Sequence, residues 1–151
     1  MPEILVAVDG SEYSEKIVEY SCELAKKLSY QIALIYVSKF PDLVEEYIGV
    51  GGKPVSPKAE PYVRVAEKIT SKLAERVRAE GIPVEVILET GSPSDKIITV
   101  ATFRKSNMIM IGLRGLHGIE RIRSLGSVSR RVLEGAPCPV IVVTSLPEKE
   151  K

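Results

Sequence analysis

The chain has no tryptophan, one histidine and two cysteines in its 151 residues. A single histidine, His117, cannot build a multi-histidine metal centre, and neither HExxH nor CxxC spacing occurs. Metal catalysis through His and Cys ligands is thereby excluded. Cys22 and Cys138 stand far apart and read as reduced core residues that behave as small hydrophobes. Excess charge is missing too: 21 basic and 20 acidic residues leave a formal net charge of +1. No global field therefore draws the chain toward nucleic acid or a membrane surface, and any anion site has to be a local arrangement. No apolar run approaches the roughly 20 residues that span a bilayer. The opening Met1-Pro2-Glu3 lacks the basic and long apolar regions of a secretory leader, so a cytoplasmic location is expected.

What is present is an ordinary globular balance, 44% hydrophobic and 27% charged, at the usual length of one domain. We expect one domain over residues 1–146 and a charged tail at 147–151. The apolar period alternates between strand and helix. Ile4 to Val8 is a continuous apolar run, as in a strand buried on both faces. Asp9-Gly10-Ser11 turns the chain, and a helical stripe of Ile17, Val18, Ser21, Leu24, Ala25 and Leu28 follows Ser14. Ile32 to Val37 predicts a second strand, 62–80 a helix stopped at Gly81, and Val84 to Leu88 a third strand. Ser92-Pro93-Ser94-Asp95 opens another helix, Met108 to Ile111 a fourth strand, Ser127 to Leu133 a short helix and Val140 to Val143 a fifth strand. The alternation predicts an α/β fold: an open five-stranded parallel sheet with helices on both faces. Residues 40–61 hold four prolines and three glycines without a clear period and read as a long loop, with a short helical turn near 42–47.

Ligands of such sheets bind beyond the carboxyl ends of the strands, where strand order reverses. The richest segment there runs from Gly112 through Gly115 and Gly118 to Gly126-Ser127-Val128-Ser129, at the start of a helix. Glycines let backbone N–H groups approach a phosphate, and a helix N-terminus adds unpaired donors and the positive end of its dipole. Ser127 and Ser129 offer hydroxyl donors. Five arginines, Arg114 among them, stand against two glutamates between Gly112 and Gly135. The same glycines would also serve simply to turn the chain, and the arginines to solvate a helix face. Asp9 likewise reads two ways, as a ligand contact or as the aspartate of an Asp-Gly turn.

Gly112-x-x-Gly115, then Gly126-Ser127, then Ala136-Pro137-Cys138-Pro139 and the strand Val140 to Val143 resemble the C-terminal half of universal stress proteins. The opening Ile4 to Ser11 resembles their first strand and turn. The resemblance implies a Rossmann-like, adenine nucleotide alpha hydrolase-like fold and, for one subgroup, ATP binding, with or without Mg. It would then place Gly112, Arg114, Gly115, Gly126, Ser127, Val128 and Ser129 on the ribose and phosphates, and Asp9 and the Val37 backbone at the nucleoside end. The subgroup has nine residues between the second glycine and Gly-Ser; this chain has ten between Gly115 and Gly126. The alternative is a non-nucleotide dimeric interaction module of the same family. Either way the resemblance implies a homodimer through the Val140–Val143 edge strand and a protein partner of unknown identity. No GK[ST] loop, GxSxG elbow or paired acid and base appears, so at most weak ATPase activity is expected.

Overall fold

The computed structural model describes residues 1–38, 60–113 and 125–144. Strands and helices follow one another as β1 (Glu3–Val8), α1 (Glu12–Leu28), β2 (Gln31–Ser38), α2 (Glu60–Ala79), β3 (Val84–Thr90), α3 (Pro93–Arg104), β4 (Met108–Gly112), α4 (Ser127–Gly135) and β5 (Val140–Val143). All strands are parallel, in the order β3-β2-β1-β4-β5. The fold is the predicted Rossmann-like α/β sheet. The expected loop 40–61 lies outside the described residues except at Glu60 and Pro61, which already belong to α2. The turn expected near 42–47 and the tail at 147–151 lie outside them too. α1 starts at Glu12, two residues before Ser14, with Ser11 of the Asp9-Gly10-Ser11 turn as its N-cap residue.

Alternating side chains of the central strands feed two separate cores. Ile4, Val6, Val8, Ile32 and Leu34 pack with Val18 and Cys22 of α1 and Leu73 and Val77 of α2. Leu5, Ala33, Ile35, Ile109 and Ile111 pack on the opposite face with Ile97 and Ala101 of α3 and Val132 of α4. Both cysteines are free, as expected; burial, with Glu80 beside it, pushes the Cys22 thiol up to about 11. No helix among the described residues is long and apolar enough to cross a membrane. The chain leaves β1 for α1 on one face and β4 for α4 on the other. Adjacent β1 and β4 thus open a crevice at their carboxyl ends, the switch point of a doubly wound sheet.

The opposite end of the sheet is closed by a polar cluster with no signal in the apolar pattern. Glu3 is only 4% exposed, and its carboxylate accepts from Arg104 Nε and Nη2 at 2.9 Å each, Ser106 Oγ at 2.8 Å and Gln31 Nε2 at 3.1 Å. Arg104 Nη1 also donates to Glu85 Oε2 at 2.8 Å, so one guanidinium joins α3 to β1 and β3. Burial alone would raise the Glu3 carboxyl; the bonds from Arg104, Ser106 and Gln31 outweigh it and hold it below the ordinary value. Because folding lowers this pKa, the contribution is complete above the ordinary carboxylate value and is lost as pH falls through the folded one. Glu3→Gln should cost about 3 kcal/mol in denaturant melts at neutral pH, since it leaves the Arg104 charge without its main partner. The gap from wild type should narrow below about pH 4. A gap of equal size at both ends of that range would show that the carboxylate charge is not what the cluster needs.

Candidate functional site

The crevice is built on two turns. At the end of β1, Gly10 takes φ +85°, and a Cβ there would lie 2.9 Å from Ile69 Cδ1 of α2, so the position is reserved for glycine. The Ser14 hydroxyl, buried in the first turn of α1, accepts the Asp9 N–H at 3.0 Å and the Gly10 N–H at 3.1 Å. It also donates to Asp9 Oδ1 at 3.2 Å, which accepts the Ser11 N–H at 2.9 Å as well. Asp9 is therefore the aspartate of its own turn, by one oxygen, while its half-buried carboxyl sits at the crevice. Tyr36, opposite Val8 on β2, has its phenol pushed up by burial and then by the Asp9 charge.

β2 runs two residues further than its partner β1. Its ladder with β1 ends at Val8↔Tyr36, while Val37 and Ser38 stay paired with Glu89 and Thr90 of β3. Gln31 N–H donates to Pro2 O, which sets alternate residues Gln31, Ala33, Ile35 and Val37 toward β1. The next β1 donor in that ladder would be Gly10, whose N–H goes to Ser14 instead. The Val37 carbonyl is left facing the crevice beyond the end of β1. Thr90-Gly91-Ser92-Pro93 makes the strand-to-helix turn after β3, with Gly91 at φ +119° and Gly91 N–H donating to Ser38 O at 2.9 Å.

On the other wall, Gly112 ends β4 and Leu113 follows it. Leu113 N–H donates to Val143 O at 2.9 Å, and Leu113 O accepts the Gly126 N–H at 2.9 Å. Gly126 is the N-cap of α4, so the helix itself supplies no partner for the N–H groups of Ser127, Val128 and Ser129. The first turns of α1 and α3 carry Glu12, Glu15 and Asp95, whereas that of α4 has no acid to offset its positive end. Ser127 is exposed and Val128 packs partly into the second core. Ser129 departs from expectation. Its hydroxyl is buried and donates to Gly112 O at 2.6 Å and toward Leu113 O at 3.2 Å, so it reaches strand carbonyls rather than the crevice. Only its N–H remains a donor on the crevice side. Asp9, Val37, Gly112 and Gly126 to Ser129 thus meet around one switch point; Arg114, Gly115 and His117 lie outside the described residues. The sequence reading missed Ser14, whose hydroxyl orients Asp9; an Asp-Gly turn with a serine five residues on was the available signal.

Residues 1–144 match the model of the universal stress protein family. The chain is 30% identical over 151 residues to Universal stress protein MJ0531 of Methanocaldococcus jannaschii, covering 97% of this chain and 84% of that one. Among solved structures it superposes with TM-score 0.76 on hypothetical protein MJ0577, at 22% identity and with 97% and 98% of the two chains covered. It also resembles a universal stress protein from Archaeoglobus fulgidus in complex with dAMP (TM-score 0.66, 22% identity, 94% and 96% covered). A universal stress protein in complex with cAMP is similar as well (TM-score 0.68, 22% identity, 95% and 96% covered). The chain belongs to the universal stress protein family.

Ser14→Ala removes the acceptor of two turn N–H groups and a donor to Asp9. It should destabilise the fold by about 1–3 kcal/mol, read as a lower midpoint in thermal unfolding. A midpoint equal to that of wild type would mean that the turn holds without Ser14.

Proposed function

We propose that this member of the family binds an adenine nucleotide, ATP with Mg as counter-ion, in the crevice between the ends of β1 and β4. It acts as a regulatory protein with little or no turnover. The observation that carries the reading is the start of α4: three backbone N–H groups without helical partners, no acid in the first turn, and a glycine cap tied to the end of β4. A polyphosphate supplies what that end of the helix lacks. Asp9 and the Val37 carbonyl stand across the crevice at the nucleoside end, where a carboxylate suits ribose hydroxyls and a carbonyl suits the amino group of adenine. Arg114 and Gly115 join the site by sequence. The dAMP and cAMP complexes of similar structures support the ligand class.

Calorimetric titration with Mg-ATP, and analysis of nucleotide released on denaturing the purified protein, test the reading. Gly126→Val should abolish binding, because a branched side chain at the cap stands where phosphate oxygens approach, while circular dichroism remains that of wild type. Ser127→Ala should weaken binding by about 1.5–3 kcal/mol if its exposed hydroxyl reaches a phosphate. Equal affinity in wild type and Gly126→Val would move the nucleotide elsewhere; no heat and no released nucleotide in wild type would leave the interaction module as the function.

That second reading draws on β5, an edge strand whose Ile141 is 37% exposed. Beside it lies a groove of about 370 Å³ lined by Tyr20 and Leu24 of α1, Met110, Ile141 and Val143. An apolar edge strand invites pairing with a second copy, and a homodimer fits both readings. Val142 packs partly into the second core, so a charge there would disturb the fold as well. Ile141→Lys is the cleaner variant and should shift sedimentation toward monomer. Wild type that already sediments as a monomer at micromolar concentration would remove the dimer.

A further inference from the structure

Serine and threonine inside helices ordinarily return a hydrogen bond to the carbonyl four residues back. Ser21 does so to Ile17 O at 2.7 Å, and Thr70 to Ala66 O and Thr102 to Ile98 O at 2.8 Å each. Serines in a first helical turn have no helical carbonyl four residues back, and Ser129, like Ser14 in α1, turns its hydroxyl elsewhere. It is the third residue of α4, and its hydroxyl crosses to the strand side, reaching Gly112 O at 2.6 Å and Leu113 O at 3.2 Å. Leu113 O also receives the Gly126 N–H, and Leu113 N–H is held by Val143 O, each at 2.9 Å. These bonds link the end of β4 and the cap of α4 directly, across the root of the twelve residues 114–125.

We infer that Ser129 is a positioning residue: its hydroxyl fixes the α4 N-terminus against β4, so that the phosphate-facing N–H groups are set by this clasp and not by the length of the intervening segment. The inference rests on the nucleotide reading for its consequence, though not for its geometry. It explains how ten residues between Gly115 and Gly126 are compatible with a site whose relatives by resemblance use nine. Both ends of the segment are pinned outside it, and the entropy of joining fixed ends changes little when one residue is added. Hydroxyl contact with a phosphate is not the role of Ser129, because the proton is already given to Gly112 O.

Hydrogen exchange in the nucleotide-free protein and titration with Mg-ATP test this together. Ser129→Ala should speed exchange of the Gly126 and Leu113 amides while leaving the β1 amides unchanged. It should also weaken Mg-ATP by about tenfold, the size of one buried hydrogen bond. Ser129→Thr, which keeps the hydroxyl, should restore both. Deleting Leu116, which returns the spacing to nine, should leave the affinity near that of wild type. Unchanged exchange at Gly126 and Leu113 in Ser129→Ala overturns the clasp, as does a large gain in affinity on deleting Leu116. If wild type binds no nucleotide, the functional reading fails, and the exchange experiment still decides the clasp.

Discussion

β1 has no solvent face: Ile4, Leu5 and Val6 are completely buried, with neighbouring side chains turned to opposite sides of the sheet. Helices therefore have to cover both sides, and a parallel strand can be reached only by a crossover. With β2 on one flank of β1 and β4 on the other, the crossovers leave in opposite directions, and the chain parts at the carboxyl ends of β1 and β4. The crevice is thus a by-product of how one strand is buried.

Both helices that leave the switch point use a serine at their third position to grip the strand they came from. Ser14 in α1 accepts from N–H groups at the end of β1; Ser129 in α4 donates to carbonyls at the end of β4. A hydroxyl can do either, which is why the same residue type suits two turns of opposite need. The turn after β1 has spare donors, and the end of β4 has spare acceptors. On each wall the end of the strand is tied to the first turn of its helix, with the Val37 carbonyl on one side and the α4 donors on the other.

The apolar runs Ile4 to Val8, Ile32 to Val37 and Met108 to Ile111 made the strands and the sheet type legible, because strands buried on both faces leave an unbroken signal. The glycine-serine start of α4 was legible for the same local reason. Glu3 was not: its partners Arg104 and Ser106 lie a hundred residues away, and no period in the sequence pairs them. The hydroxyl of Ser129 was misread for a related reason. Sequence shows that a serine opens a helix, while the direction of its hydroxyl depends on how near β4 lies, which is a tertiary fact.

The strand order has a consequence for the nascent chain. β1 gains β2 soon after it leaves the ribosome, yet its other edge is filled only by the Ile4↔Met108 to Val6↔Met110 pairing with β4. At about 5–20 residues per second, a strand whose Ile4, Leu5 and Val6 end completely buried stays open along one edge for several seconds of synthesis. An unpaired edge of that composition is the kind that recruits other strands. Early shielding of β1, by α1 or by a chaperone, is therefore a requirement of making this sheet at all, and it is imposed by topology before any ligand is present.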